Sequence, residues 1–288
     1  MLKTVWFTQK DILQGSVMLL GGFDGLHLGH RRLLSYAKQS GLPVGLMTIV
    51  GGKAQENIYT FTERETIFRE SGADFVFELP FLEIKDLSAE EFLRKLTAEF
   101  HPSLFVCGED FRFGAGALGT PEMIKRRGHV RVEVQPLMEM YGKKISSRAI
   151  KELLAKGEVE KANVLLGDNF FLLGEVIKDR QVGRTLGFPT ANIPYPKEKF
   201  PLLQGVYETR VCVNGTMYKG ITNYGARPTF DNEEVLTETY LDEFDGNLYG
   251  KTLKVEFIRF LRSVQKFAGV EELKTQLQAD IRMVRNDD

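Results

Sequence analysis

Cysteine is almost missing from these 288 residues, with Cys107 and Cys212 the only two. They lie far apart, in the apolar runs "LFVCG" and "TRVCVNG". That excludes a disulfide-built fold and predicts two buried free thiols in a reducing compartment. Long apolar runs are missing altogether: no stretch of about 18 apolar residues occurs, and the first residues, "MLKTVWFTQKDILQGSVMLLGGF", lack the apolar core of an export signal. A soluble, cytoplasmic chain with no membrane partner is therefore expected. Excess charge of either sign is absent too, since 38 Lys plus Arg stand against 39 Asp plus Glu. Without a positive field, nucleic acid is not an expected partner; small molecules are, bound by a monomer or weak homo-oligomer. No GxxxxGK[ST] string occurs, which disfavours a P-loop nucleotide fold, and no CxxC or HExxH string supports a zinc site.

What is present is enough apolar residue, 43% of the chain, for one large core or two ordinary ones. The first half alternates. "SVMLL" (16–20) reads as a strand, a glycine-rich turn follows, and "HRRLLSYAKQSG" reads as a helix ended by Gly41. "PVGLMTIV" (43–50), "DFVFELP", "SLFVCG" (103–108) and "VRVEVQPL" are four more strands. Between them "TERETIFRESG" and "SAEEFLRKLTAEF" are helices opened by Thr62 with Glu65 and by Ser88 with Glu91 in capping-box spacing, and "PEMIKRRG" is a short helix. Such alternation implies a parallel sheet covered by helices on both faces.

After two more short helices, "SSRAIKELLAKG" and "EVEKANVLLG", the pattern changes near residue 168. "FFLLGEVIK", "GVYETRVCV", "TMYKGITNYG", "LTETYLDEF" and "KTLKVEFIRFL" are strands rich in β-branched and aromatic residues, with Asn214-Gly215 as a hairpin turn between two of them. The following "VEELKTQLQADIRMV" sets Val270, Leu273, Leu277, Ile281 and Val284 on one helical face, expected to pack as core on the β domain.

Two stretches carry chemistry. "GGFDGLHLGH" (21–30) leaves a strand and opens a helix, so its backbone N–H groups lie at the positive end of a helix dipole, a ready anion site. Gly21, Gly22 and Gly25 permit close backbone approach, and His27 and His30 stand where ring nitrogens can donate to phosphate oxygens. Metal binding and a merely structural turn are the alternatives; phosphate is favoured. Gly114, Gly116 and Gly119 also satisfy GxGxxG, but "EDFRF" separates them from the strand end, where a dinucleotide fingerprint needs its tight turn. In the second half, "GRTLGFPTANI" (183–193) joins Gly183 and Arg184 to a Phe188-Pro189 step. Thr190 and Asn192 share one face if extended, and their oxygens suit Mg²⁺ and phosphate.

"GGFDGLHLGH" resembles the GxFDGxHxGH signature of the prokaryotic FAD synthetases, members of the HxGH nucleotidyltransferase group; "GEDFRFG" (108–114) and "KISS" (144–147) match two further motifs. The resemblance implies that His27 and His30, with Gly22, Phe23, Asp24 and Gly25, contact the ATP phosphates while the phosphate of FMN attacks the α-phosphorus. It puts Asp110, Phe111 and Phe113 at the flavin or nucleotide pocket. It makes Ser146 and Ser147 the cap of a phosphate-receiving helix, with Arg148 and Lys151 beside it. The chain departs from the pattern at "ISSRAIK", where Thr and Arg are usual for Arg148 and Lys151; in a shortened loop after Thr48; and in "FGAGALGT", which lacks the usual Arg and Asp.

"GRTLGFPTAN", "GVY", "NYGARPTF" and "ETYLDEFDGNLYG" follow the order and spacing of the riboflavin kinase module, with Tyr240 where a His is common. That resemblance implies that Thr190 and Asn192 hold Mg²⁺ and the ATP phosphates, that Phe188 lies at the flavin, and that Glu238 is the base for the riboflavin 5′-hydroxyl. Together the resemblances imply an HxGH α/β parallel-sheet FMN adenylyltransferase over 1–157, then a mainly-β riboflavin kinase barrel with a following helix over 169–288. The substrates and products are ATP, riboflavin, FMN and FAD. A kinase with a repurposed first domain and a non-catalytic flavin-binding regulator are the two rival readings.

Overall fold

The computed structural model describes residues 3–6, 15–51, 57–140, 142–178, 188–228 and 233–286. Gly183 and Arg184 lie outside the described residues, as does part of the loop after Thr48. The chain divides into two compact units, Met1–Ala149 and Ile150–Asp288.

The first unit contains β1 (Lys3–Trp6), β2 (Val17–Leu20), α1 (Leu28–Lys38), β3 (Val44–Val50), α2 (Phe61–Glu70), β4 (Phe75–Pro80), α3 (Phe81–Ile84), α4 (Ala89–Phe100), β5 (Leu104–Gly108), α5 (Pro121–Arg127) and β6 (Arg131–Gln135), then the small ladder β7 (Glu139–Met140) with β8 (Lys143–Lys144). Its sheet runs β1-β4-β3-β2-β5-β6, parallel from β4 to β6 and antiparallel only at β1. Alternation along the strands builds two core layers. Met18 and Leu20 point to the side of Leu93 and Leu96 of α4; Val17 and Leu19 point to the side of Leu34 of α1 and Phe68 of α2. Helices therefore cover both faces, as the alternation in sequence implies.

Two details differ from expectation here. The edge strand β1 has no counterpart in the sequence reading, because four residues paired at one edge leave no periodic signal. The capping box of α2 is Thr60 with Glu63, not Thr62 with Glu65: Thr60 has the extended backbone of a cap, its Oγ1 accepts from the Glu63 N–H at 3.2 Å, and its own N–H donates to Glu63 at 2.8 Å. Both pairs fit the pattern in sequence, and Glu65 instead pairs with Arg69 one turn on. The box of Ser88 with Glu91 forms as expected. The glycines of "GAGALG" do not build a dinucleotide turn: Phe113 bridges Gly119 antiparallel, and a Cβ on Gly114 would lie 2.7 Å from the Ala89 backbone.

Helix α6 (Ser147–Ala155) spans the division, and the second unit continues with α7 (Val159–Leu166), β9 (Phe170–Glu175), β10 (Thr190–Pro194), β11 (Gly205–Val213), β12 (Thr216–Pro228), β13 (Glu233–Leu241), β14 (Thr252–Arg262) and α8 (Val270–Arg285). The sheet order is β10-β13-β12-β11-β14-β9, antiparallel throughout. Ile177, just past β9, bridges Asn192 in β10, so the two edges of the curled sheet meet. Asn214 and Gly215, both at positive φ (51° and 83°), form the two-residue hairpin between β11 and β12.

The apolar stripe of α8 is not simply core. Val270 is 51% exposed and only Val284 is buried, against Val206 and Ile221, whereas Leu273, Leu277 and Ile281 wall a cavity. The helix is held at its polar positions instead: Arg262 pairs with the fully buried Asp280, Arg285 with Asp242, and Lys219 donates to the Val284 carbonyl. It roofs a hollow rather than filling one.

Cys212 is exposed, contrary to expectation, while Cys107 is buried. Strand alternation explains it: Val211 and Val213 point inward, so Cys212 points out. Burial pushes the Cys107 thiol up to about 12. A disulfide reagent at pH 8 is expected to take one fast equivalent from the native protein, at Cys212, and the second only on denaturation; two fast equivalents would contradict the burial of Cys107.

Candidate active sites

Strand β2 pairs with β3 on one side and β5 on the other, and the loops leaving the ends of β2 and β5 part there, the usual position of a ligand crevice in such sheets. A cavity of about 410 Å³ opens at that point, lined by Gly21, Gly22, His27, Gly29 and His30 after β2, by Asp110, Phe111 and Arg112 after β5, and by Lys144, Ser146 and Ser147.

Local geometry explains the spacing of the motif. His27 caps α1: its Nδ1 accepts the His30 backbone N–H at 3.3 Å, which leaves the ring proton on Nε2. His30 Nδ1 donates to the Gly25 carbonyl at 2.8 Å, so its Nε2 carries the lone pair. The two rings stack, centroids 3.6 Å apart, and a Cβ on Gly29 would come within 3.1 Å of the His27 ring. Gly25 has φ 126° with Tyr59 beside it, and Phe23, at φ 38°, is buried with its ring 4.5 Å from that of His30. Asp24 faces elsewhere: it accepts the Ile58 N–H at 2.7 Å and ties the loop to the segment before α2.

Asp110 is ion-paired with Lys144 across the cavity. Phe111 lines the cavity, while Phe113 stacks behind it and packs on Phe92. Ser146 Oγ accepts the Ala149 N–H at 3.3 Å, so the start of α6 meets the cavity through Ser146 and Ser147. Arg148 and Lys151 do not line it, and Lys151 Nζ lies 5.9 Å over the Phe200 ring. The cations that do line it, Lys144 and Arg112, lie within the KISS and GEDFRFG motifs, which by themselves give neither a role. Lys144 stands two residues before Ser146, which is the signal that was there to use.

In the second unit, strand register sets the chemistry. Asn192 is opposite Glu238, Glu238 opposite Asn223, Asn223 opposite Val206, and Val206 opposite Arg262, one row across five strands. Thr190, opposite Tyr240, places its Oγ1 3.4 Å from Asn192 Oδ1. Thr190 also separates two hollows. One, of about 190 Å³, is mostly apolar and is lined by Phe188, Asn223, Glu238 and the α8 stripe; the other, of about 500 Å³, is lined by Asn192 and the segment from Phe244 to Tyr249. Behind the row, Thr209, Thr222 and Thr239 are buried and linked hydroxyl to hydroxyl at 2.9 and 2.8 Å, which stiffens the strands that carry Glu238. Asn223 opens the NYGARPTF stretch and Arg262 lies in no motif; only strand pairing sets both in the row of Glu238. Among the described residues no group of three or more His, Cys, Asp or Glu stands ready for a metal ion.

Burial and the stacked partner, with Lys144 adding a little, push the His27 imidazole down to about 2; burial pushes His30 down to about 4. Both rings are therefore neutral near pH 7. In the unfolded chain they take up protons near 6.5, so acid favours unfolding. The stabilisation is whole above about pH 6.5 and falls by about 1.4 kcal/mol per histidine per pH unit as the pH drops toward 4. Denaturant midpoints of the first unit at pH 7.5 and 5.5 are expected to show this loss, and His30→Asn to reduce it; a pH-independent midpoint would contradict neutral histidines.

Comparison with known proteins adds a second line. Residues 9–149 match the family model for FAD synthetase, and residues 166–287 that for riboflavin kinase. A bifunctional riboflavin kinase/FMN adenylyltransferase of Bacillus subtilis is 34% identical over 97% of this chain and 96% of its own. The protein of that description from Escherichia coli K12 is 32% identical over 93% and 91%. Among solved structures, one from Streptococcus pneumoniae described as a macrolide-efflux protein superposes with a TM-score of 0.86 at 30% identity, covering 95% of both chains; efflux is that protein's description and finds no counterpart in the two sites above. With both family models matched in series and such relatives spanning nearly its whole length, the chain belongs to the bifunctional riboflavin kinase/FMN adenylyltransferase family.

Proposed function

We propose that the chain makes FMN from riboflavin in its second half and FAD from FMN in its first, assigned to residues 169–288 and 1–157. The observation that carries this reading is the row of Asn192, Glu238 and Asn223 beside Thr190, set between an apolar hollow suited to a flavin ring and a larger, half-polar one suited to a nucleotide. Glu238 takes the proton of the riboflavin 5′-hydroxyl as that oxygen attacks the γ-phosphorus of ATP, and ADP leaves. Thr190 and Asn192 offer two neighbouring uncharged oxygens that would hold Mg²⁺, which would supply charge neutralisation on the transferring phosphoryl group.

In the first unit an oxygen of the FMN phosphate attacks the α-phosphorus of ATP, and pyrophosphate leaves. The His27 Nε2–H, the N–H groups at the start of α6 and the Lys144 ammonium, all at the cavity, meet the phosphates. Ser146 shapes that helix end, and Phe111 borders the space for the flavin. Phe23, Asp24 and Gly25 act by shaping the loop, while Gly183 and Arg184 are assigned to the ATP phosphates of the kinase. Arg148 and Lys151 are assigned to the ATP side of the adenylyltransferase by the motif alone. The proposed setting is the bacterial cytoplasm, as a monomer or weak homo-oligomer acting on small molecules without nucleic acid or membrane; the near-neutral charge balance supports this.

Incubation with MgATP and riboflavin, then with FMN, followed by chromatographic separation of FMN and FAD, tests both halves. His27→Ala or His30→Ala is expected to lower FAD formation about 100-fold or more and to spare FMN formation. Glu238→Ala is expected to lower FMN formation by a similar factor and to spare FAD formation from supplied FMN. Equal loss of both activities in a folded variant would sink the division, and FMN as the sole product of the wild-type chain would leave a kinase only.

A further inference from the structure

A charge interrupts the apolar stripe of α8. Asp280 lies next to Ile281 and one turn past Leu277, both of which wall the apolar hollow, and it is fully buried. It takes two arms of the Arg262 guanidinium: Nε lies 3.0 and 3.1 Å from its oxygens and Nη2 2.7 Å from one of them, while Gln276 donates to Asp280 at 2.8 Å. Arg262 Nη1 donates to the Ser263 carbonyl at 3.3 Å. A guanidinium carries five N–H donors, so among the described residues one on each terminal nitrogen has no partner, and Arg262 itself lines the hollow. A buried ion pair of this kind is a weak source of stability, since an apolar pair of similar volume serves as well. What it does supply is direction, because both oxygens of Asp280 hold the planar fork in one orientation.

The place of Arg262 in the register row gives that direction a meaning. Arg262 and Glu238 stand three strand spacings apart, about 14 Å along the sheet. With the reacting 5′-hydroxyl at Glu238, the five-carbon chain of riboflavin leads the ring toward β14. There the polar lining is Arg262 with Gln265, among Val264, Phe267 and the α8 stripe. One edge of the isoalloxazine ring bears two carbonyl oxygens and the opposite edge two methyl groups. We infer that Arg262 donates to the carbonyl edge of the flavin ring, and that Asp280 of α8 is a positioning residue that holds Arg262 in place to do so. The inference rests on the kinase reading of this hollow and extends it to how the ring is told from other flat ligands.

The test is steady-state riboflavin phosphorylation by the full chain, with riboflavin and with analogues in which one ring carbonyl oxygen, at position 2 or 4, is replaced by sulfur. Asp280→Asn is expected to raise the KM for riboflavin about tenfold, the scale of a lost charged hydrogen bond, with the KM for MgATP and FAD formation from FMN unaltered. Arg262→Lys, which keeps a cation beside Asp280 but loses the fork, is expected to do the same. The wild-type chain should disfavour at least one thio analogue, and in both variants that preference should vanish. A parallel rise in KM for all the flavins marks a merely structural role and overturns the inference, as does an unchanged riboflavin KM in Arg262→Lys. If Asp280→Asn does not fold, Arg262→Lys decides alone. A wild-type chain that leaves riboflavin unphosphorylated overturns the kinase reading, and this inference with it; an active wild type with unaltered variants overturns this inference alone.

Discussion

The pairing of β2 with β3 on one edge and β5 on the other is the constraint on which the first site depends. Parallel strands need crossovers, and crossovers that leave a central strand in opposite directions cannot cover the ends they leave behind. The glycine-rich loop after β2 occupies that uncovered end. Its two histidines then serve the fold and the site together, because one caps α1 while the other binds the Gly25 carbonyl, and stacking sets their rings face to face. The left-handed backbone of Phe23 is uncommon for a residue of its size, and complete burial of its ring offsets the strain.

The second unit solves the same problem with register instead of crossovers. Along β13, Thr237 and Thr239 point into the buried layer while Glu238 points to the apolar hollow. A slip of one residue between β12 and β13 would exchange those faces and leave a carboxylate among buried hydroxyls. The threonine chain across β11, β12 and β13 makes such a slip costly, since three buried hydroxyls would lose their partners.

Charge is treated differently in the two places. The histidines are kept neutral by desolvation, so the cations at the first cavity are Arg112 and Lys144, the latter paired with Asp110. In the second unit the buried charge is kept and paired, Arg262 against Asp280. Neutral groups can sit deep in a fold without a partner ion, and a guanidinium cannot.

The alternation of strands and helices in the first half, the Asn214-Gly215 hairpin, the capping box at Ser88 and the change of character near residue 168 were all determined by the sequence itself, because each depends on residues within a turn or two of one another. So was the candidate chemistry of His27, His30, Thr190, Asn192 and Glu238, carried by short motifs. Tertiary structure alone decided that α2 starts at Thr60, that Cys212 faces outward, that α8 roofs a hollow, and that Asn223 and Arg262 stand in one row with Glu238. Periodicity reports which face of an element a residue occupies; what lies opposite that face is set by strand order and register between segments tens of residues apart, and no local pattern records it.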